Sequence, residues 1–231
     1  MDNKHVKPTY YCNHNHSIIQ SLSAELAEDT DDTIDFIKKA FFYVRDTIRF
    51  GGDIWKVKAS ETLQMKFGPC FGKNTLFMAI LRNQGIACTL SANPMKRTFA
   101  QPSVGTAHIF FSNPFFHCFT KVNYNGQWID LDPTLDKDNY ETFFKPLGVN
   151  WDIDWNPNGM GPIYSESIVG ESVSYDDIDK ALNANLNSWY LFKHEPNFLV
   201  KPWLWLGNKM MWGKIDKTLK RSSVKKSDHA Y

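Results

Sequence analysis

The sequence predicts an α+β fold in which a cysteine begins a central helix that packs on an antiparallel sheet carrying a histidine and an aspartate. Gly68-Pro69 breaks the backbone directly before Cys70. A helix-length apolar segment then runs to Gln84-Gly85, and because it is apolar on most sides we expect it to be central. Asn125-Gly126 separates two strand-like segments, which is typical of a tight hairpin.

The first half of the chain contains two further helical patterns. Residues 1–31 are polar and predicted to be irregular, with an N-cap near Asp32 or Thr33. Apolar residues then recur at helical spacing from Ile34 to Ile48 and predict an amphipathic helix that ends at Gly51-Gly52. The segment Ala59–Met65 is also predicted to be helical and leads into the turn before Cys70.

After Gly85 the patterns predict strands, loops and one more helix. Residues 86–91 are predicted to form a buried strand, residues 93–106 a loop and residues 108–111 a second strand. A helix is predicted over residues 175–192, with Ser174 as its N-cap. The last segment carries the aromatic residues Trp203, Trp205 and Trp212, for which we consider core packing, a lid, an apolar groove or a dimer contact.

Length and composition fit one domain with an appendage. We predict a polar arm at residues 1–31, a core at 32–136 and an aromatic-rich extension at 137–231. The extension is expected to pack on the core and to end in a frayed basic tail. The net charge of +1 gives no global reason to expect nucleic acid or an anionic membrane as partner. No run reaches the roughly 18 apolar residues of a membrane span. The N-terminal residues lack the apolar region of a secretory signal, and the four cysteines form no disulfide framework, so we expect a reduced, cytoplasmic setting.

The position of Cys70 favours a nucleophile. Free N–H groups and the helix dipole at a helix N-terminus stabilise a thiolate. A cysteine nucleophile also needs an imidazole and a group that orients it. A buried structural cysteine is the alternative for an isolated residue.

The hairpin supplies both missing groups. A two-residue turn pairs Tyr124 with Gln127, Lys121 with Asp130 and, two residues further on, Phe119 with Asp132. His117 and Asp132 then share one face as diagonal neighbours, with backbones about 7–8 Å apart, within reach of a hydrogen bond between their side chains.

Several alternatives remain open from the residues alone. Asp132 could simply form an Asx turn before Pro133-Thr134, which leaves Asp130 and Asp136 as other candidates to orient His117. The backbone N–H of Cys70 is the first candidate for an oxyanion donor. Gln64 and Trp55 are weaker candidates, and Gln64 is better explained as a solvated helix residue. Cys12, His14 and His16 lack a fourth ligand at recognisable spacing, so no metal site is predicted.

Two groups of residues resemble motifs of the transglutaminase-like proteins. Residues 59–70, ending in Gly-Pro-Cys, and residues 81–86 resemble that family's cysteine motif, in which a Gly-x-Cys turn opens a helix ending in Arg-x-x-Gly-Ile. Residues 117–122 and 126–134 resemble its histidine and aspartate motifs on adjacent strands. The resemblance covers residues 32–136 and departs at Phe71 and at Cys118-Phe119, where the family often has Trp or a polar residue and Ala-Trp.

The resemblance implies a papain/transglutaminase-like α+β fold with Cys70 as nucleophile, His117 as base and Asp132 as its orienting group. The predicted activity is attack on an amide, ester or thioester carbonyl of a peptide, protein or small amide. We favour hydrolysis by a peptidase, amidase or deamidase over acyl transfer to an amine. A third alternative is a non-catalytic binding module that presents the aromatic C-terminal half to a partner. No cofactor is implied by this chemistry.

Overall fold

The computed structural model describes residues 4–54, 56–175, 178–183 and 197–227. The helices are α1 (Ser17–Ala27), α2 (Thr33–Phe42), α3 (Ala59–Met65), α4 (Cys70–Asn83), α5 (Gln101–Val104), α6 (Lys137–Phe143), α7 (Ile178–Asn183) and α8 (Asn197–Ser227). The strands are β1 (Arg49–Phe50), β2 (Phe67–Gly68), β3 (Cys88–Met95), β4 (Phe115–Tyr124), β5 (Gln127–Leu131) and β6 (Val173–Tyr175). The described residues thus form the mixed helix and antiparallel sheet fold that was predicted.

Helix α4 lies at the centre of the core, as its apolar sequence predicts. Every residue from Cys70 to Arg82 is buried, and α4 contacts α1, α2 and α3 as well as β4 of the main sheet. Gly85 follows the helix with φ +72°, a left-handed conformation that commonly ends helices and that glycine adopts without strain. Because α4 is buried on all sides, the position of its first residue, Cys70, is fixed by the surrounding core.

The main sheet is antiparallel, with the strand order β5-β4-β3-β6. The β4–β5 hairpin pairs Tyr124 with Gln127, Lys121 with Asp130 and Thr120 with Leu131, so the predicted register is confirmed through that last pair. Phe119 and Asp132 lie just beyond the paired segment. Thr120 faces α4, and its hydroxyl donates to the Oδ1 atom of Asn74 at 2.8 Å, while His117 lies on the opposite face.

Helices α2 and α3 agree with the sequence patterns, except that the helix predicted to end at Gly51-Gly52 stops at Thr47 and is followed by strand β1. Asp32 caps α2, where its side chain accepts from the N–H of Asp35 at 2.9 Å, and α2 continues into a π-helical turn at Tyr43–Thr47. Helix α3 has the predicted bounds. Helix α1 was not predicted, because residues 1–31 were expected to be irregular. Its apolar residues Ile19, Leu22 and Leu26 are buried in the core, and packing of this face stabilises the helix.

Three predictions between Cys88 and Tyr175 are wrong. Strand β3 continues through Pro94 to Met95, where a loop was predicted, because pairing with β4 extends along its whole length. Residues 105–110, which overlap the strand predicted at 108–111, form a 3-10 helix. Ser174 is no N-cap, since it lies in β6 and pairs with Ser91 of β3. Of the helix predicted at residues 175–192, the structure shows α7, which ends at Asn183. Residues 184–196 lie outside the described residues.

Helix α8 packs on the core through one face. Asn208 joins it to Gly52, whose N–H donates to the Oδ1 atom of Asn208 at 2.7 Å and whose carbonyl accepts from its Nδ2 atom at 2.8 Å. The Trp212 indole N–H donates to the Phe50 carbonyl at 2.9 Å. The basic end was predicted to be frayed, but the helix continues to Ser227, and lysine and arginine are favourable residues for extending a helix. No helix among the described residues is long and apolar enough to cross a membrane.

Candidate active site

Cys70 is the first residue of α4, at the end of a tight connection from α3. Lys66 ends α3 with φ +60°, strand β2 follows, and Pro69 is the extended N-cap of α4. Gly68 and Gly72 both lie against Thr62: a Cβ atom on either would come within 3.2 Å of its side chain. The two glycines therefore allow α3 to approach the first turn of α4, where backbone N–H groups lack helical acceptors.

His117 and Asp132 meet at the open end of the hairpin. The His117 Nε2 atom lies 2.6 Å from the Asp132 Oδ2 atom, and both residues are buried. The second carboxylate oxygen, Oδ1, accepts from the N–H of Thr134 at 3.1 Å. Asp132 therefore forms an Asx turn and also bonds the imidazole, so the two alternatives considered from the sequence coexist.

The other two aspartates considered as orienting groups have different partners. Asp130 forms an ion pair with Lys121 at 3.1 Å. Asp136 caps α6 by accepting from the N–H of Asn139 at 2.8 Å, and it also accepts from the N–H of Phe50 at 2.8 Å. Of these three carboxylates, it is Asp132 that contacts His117.

Cys70 and His117 are neighbours, and each shifts the pKa of the other. Because the Nε2 atom bonds Asp132, Nδ1 is the ring nitrogen that remains for the thiol. Burial opposes the charge on His117, but the charge and hydrogen bond of Asp132, followed by those of Cys70, raise the pKa of His117 to about 10. The imidazole is thus cationic across the neutral pH range and lies beside a sulfur.

The same contacts favour the thiolate form of Cys70. Burial alone raises a thiol pKa, but hydrogen bonds from the Cys118 thiol and from His117, together with the His117 charge, lower the pKa of Cys70 to about 5. The Cys118 backbone contributes a further hydrogen bond in the same direction. The pKa of Cys118 itself is raised well above its ordinary value, first by burial and then by its contacts with Cys70. The two adjacent sulfurs thus differ in role, since Cys70 carries the charge and Cys118 donates to it.

Asn74 connects the elements that carry the site, and no sequence pattern indicated this. Its Nδ2 atom lies 3.0 Å from the Cys70 carbonyl, 3.1 Å from the Cys118 carbonyl and 2.9 Å from the Thr134 hydroxyl. It therefore joins the first turn of α4, strand β4 and the segment after Asp132. The side chain is fully buried, so the amide fixes the relative positions of the three predicted residues.

Tyr164 covers the cysteine–histidine pair, and it comes from a part of the sequence that shows no clear pattern. The ring packs edge-on against His117, with centroids 5.1 Å apart, and against Phe99 at 4.8 Å. Cys70 retains 3% and His117 2% of their surface exposed. A pocket of about 170 Å³ lies beside His117 and Asp132, and its lining also includes the polar Asn93, Asp130 and Ser172 and the apolar Leu131, Met160 and Ile163.

Lys73 is a second buried charge close to the site. Its Nζ atom donates to the Arg45 carbonyl at 2.9 Å. Burial lowers the pKa of Lys73 to about 8, against the opposing charges of Asp136, Asp46 and Asp132. At neutral pH this lysine contributes a positive charge one turn of helix below Cys70.

The weaker oxyanion candidates have no support from the structure. Gln64 is exposed on α3, which agrees with its interpretation as a solvated helix residue. Trp55 lies outside the described residues. Within the described ranges no group of three histidine, cysteine or acidic side chains is arranged to hold a metal ion.

A comparison with protein families assigns this site to a known superfamily. The family model of the transglutaminase-like superfamily matches residues 20–133, a segment that contains α4 and the complete hairpin. Residues 20–133 belong to the transglutaminase-like superfamily. The match begins within α1, so this superfamily segment extends further toward the N-terminus than the motif resemblance at 32–136. These residues accordingly have the mixed helix and antiparallel sheet fold of that superfamily.

Two solved structures are similar to this transglutaminase-like chain. One is a provisionally assigned cysteine protease from Cytophaga hutchinsonii, with 17% identity and a TM-score of 0.45, covering 74% of this chain and 51% of that chain. The other is a red sea bream transglutaminase, with 13% identity and a TM-score of 0.40, covering 62% of this chain and 32% of that chain. The chain thus spans about half the length of the first and a third of the second. A sequence comparison with curated proteins finds no match.

Proposed function

We propose that the protein is a cysteine-dependent acyl-transfer enzyme in which Cys70, His117 and Asp132 form an acyl-enzyme from an amide or ester carbonyl. The observation that carries this proposal is the 2.6 Å bond between His117 Nε2 and Asp132 Oδ2, at a histidine whose charge lowers the pKa of the neighbouring Cys70 thiol. Nucleophile, acid–base group and orienting carboxylate in hydrogen-bond contact are the arrangement that covalent catalysis by cysteine needs.

In the first half of the reaction the Cys70 thiolate attacks the carbonyl carbon. The carbonyl oxygen becomes an oxyanion, for which the free backbone N–H of Cys70 at the start of α4 is the donor. The His117 imidazolium gives its Nδ1 proton to the leaving nitrogen or oxygen, the bond to the leaving group breaks, and a thioester on Cys70 remains. His117 is then neutral.

In the second half the acceptor attacks the thioester. Neutral His117 takes a proton from water or from an amine as that group bonds to the carbonyl carbon, and the Cys70 thiolate leaves. The imidazolium is restored, and Asp132 stabilises its charge through the Nε2–Oδ2 hydrogen bond. Water as the acceptor releases an acid, which makes the enzyme a peptidase, amidase or deamidase.

Hydrolysis is the preferred outcome because the site favours small acceptors. Both reacting residues are almost fully buried, with Tyr164 packed against His117, and the pocket beside His117 and Asp132 is small and lined by both polar and apolar side chains. Water enters such a space more readily than a protein-bound amine does. Transfer to a small amine is the alternative that the same pocket would accommodate.

Mass spectrometry of a glutamine-containing peptide incubated with the protein and a small primary amine tests the proposal. Conversion of glutamine to glutamate or cleavage of the peptide is expected, and incorporation of the amine would replace hydrolysis by transfer. Both products should vanish in Cys70→Ala and persist in Cys88→Ala, which removes a different buried cysteine.

Thiol reactivity tests the enzyme against the binding-module alternative without knowledge of the substrate. The rate of Cys70 alkylation by iodoacetamide is measured as a function of pH in the wild type and in His117→Ala. An ordinary thiol profile that His117→Ala leaves unchanged would refute the enzyme proposal.

A further inference from the structure

Helix α8 differs in charge from the rest of the molecule. Residues 197–227 contain eight lysines and arginines and one acidic residue, a net charge of +7. The other 200 residues contain 18 basic and 24 acidic residues, a net charge of −6. The near-neutral total therefore conceals a strongly basic C-terminal helix, and its one acid, Asp216, is paired with Arg49 at 3.0 Å.

The same helix exposes a row of large apolar side chains. Leu199, Trp203, Leu206 and Met210 recur at spacings of four, three and four residues, so they lie on one face. Trp203 is 74% exposed and Met210 63% exposed. The core-packed face is a different one, formed by Val200, Asn208, Met211 and Ile215. We call the exposed row Leu199, Trp203, Leu206 and Met210 the α8 stripe.

Basic residues continue and flank the α8 stripe. Lys217 and Arg221 follow on the same face toward the C-terminus, and both are exposed. Lys209 and Lys214 stand beside the stripe, with the Lys209 Nζ atom 3.9 Å from the Trp205 ring centroid. The exposed side of α8 is thus apolar over its first half and cationic over its second half.

We propose that this side of α8 binds an anionic membrane surface. Tryptophan, leucine and methionine enter the interfacial region of a bilayer, while lysine and arginine contact anionic headgroups. The helix would lie along the surface, with the α8 stripe among the acyl chains and Lys217 and Arg221 over the headgroups. This inference concerns a different surface from the cysteine site and does not depend on the proposed function.

Two other partners fit this surface less well than an anionic membrane does. A second copy packed stripe to stripe would bring two helices of net charge +7 together, and such like charges repel each other. A nucleic acid would satisfy the lysines but leave the leucine and methionine side chains without an apolar contact. An anionic bilayer satisfies both halves of the surface.

Co-sedimentation of the full chain with vesicles tests the proposal. We expect binding to vesicles in which about a third of the lipid is phosphatidylserine, little binding to pure phosphatidylcholine, and weakening as salt is added. Each basic residue near an anionic surface contributes about fivefold in affinity, so Lys217→Glu with Arg221→Glu should reduce binding at least tenfold. Trp203→Ser with Met210→Ser should reduce it by a similar factor.

Matched variants separate the surface from general effects of charge or hydrophobicity. Lys38→Glu with Lys137→Glu makes the same charge change on exposed residues of α2 and α6, and Trp128→Ser removes another exposed tryptophan; these and Cys70→Ala should bind like the wild type. Equal affinity for neutral and anionic vesicles, or no binding, would overturn the proposal. So would a dimer in light scattering that the Trp203 variant dissociates.

Discussion

Cys70 begins helix α4 and Cys88 begins strand β3, and both are buried, yet their thiol pKa values are shifted in opposite directions. Burial raises the pKa of Cys88 to about 11, against the nearby charge of Arg82, and its sulfur donates to the Met78 carbonyl at 3.7 Å. At Cys70 burial is outweighed by the hydrogen bonds of Cys118 and His117 and by the His117 charge, and the pKa is lowered to about 5. At Cys88 burial outweighs the charge and hydrogen bond of Arg82. The balance between burial and polar partners therefore decides which buried thiol becomes a thiolate.

Removing the His117 cation should have the largest effect on the difference in reactivity between the Cys70 and Cys88 thiols. In His117→Ala the Cys70 thiol returns to an ordinary or higher pKa, so its thiolate fraction at pH 6 should fall about a thousandfold. The measurement is the iodoacetamide rate at Cys70, mapped by peptide mass spectrometry. Alkylation at Cys88 in the same samples should stay slow and is the internal control. A retained fast rate at Cys70 would mean that His117 does not stabilise the thiolate.

Asp132→Asn should have the next largest effect: the rate of Cys70 alkylation by iodoacetamide at pH 6 should fall about a hundredfold. Asp132 is the main group that raises the pKa of His117 to about 10, so without its charge the imidazolium is lost at a lower pH. In the wild type the ion pair should persist between about pH 5 and pH 10, and in the variant its upper limit should move down. Asp130→Asn removes a carboxylate from the same face and should leave both limits in place.

Asn74→Ala should loosen the end of α4 that carries Cys70. It leaves the buried Cys118 carbonyl and the Thr134 hydroxyl without the amide, so we expect unfolding to become easier by about 2 kcal/mol. Urea denaturation measures this. Asn83→Ala, at the other end of α4, removes a single hydrogen bond, to the His14 carbonyl, and should cost less. Equal decreases in the free energy of unfolding for the two variants would show that the Asn74 network stabilises the fold no more than a single hydrogen bond does.

Cys118→Ala should have the smallest effect. It removes one donor to the Cys70 thiolate and leaves His117 in place, so the rate of Cys70 alkylation at pH 5 should fall about tenfold and recover near neutral pH. Cys12→Ala, in which an equally buried cysteine with a pKa raised to about 12 is removed, is the matched control. A rate unchanged at pH 5 would assign the low pKa to His117 alone.

The sequence was sufficient where local chemistry determines the structure. The Asn125-Gly126 turn fixes the hairpin register, and the register brings His117 and Asp132 to one face. Likewise, Gly-Pro before an apolar segment fixed the start of α4. Helix α1 was missed although Ile19, Leu22 and Leu26 stand at helical spacing, so the signal was present. The boundaries proposed at residues 31 and 136 remain predictions.

Other features depend on distant parts of the chain. Pro94 is a usual sign of a loop, but it lies within β3, where its carbonyl accepts from the N–H of Val169 at 2.9 Å. Asn74 is an ordinary polar residue in a helix until β4 and Thr134 are brought beside it. Tyr164 acquires its role only when its segment folds over His117. Because these contacts join residues far apart in sequence, no local pattern indicates them.

The pair of hydrogen bonds between Asn208 and Gly52 has a consequence for how the chain unfolds. The amide of Asn208 satisfies both backbone groups of Gly52, as a neighbouring strand would, and Trp212 satisfies the carbonyl of Phe50. Strand β1, completed in this way, pairs with β2, the last element before Pro69 and Cys70. The C-terminal helix and the cysteine turn should therefore melt together in one cooperative transition, so a chain shortened before α8 would lose the geometry of its thiol as well as its tail.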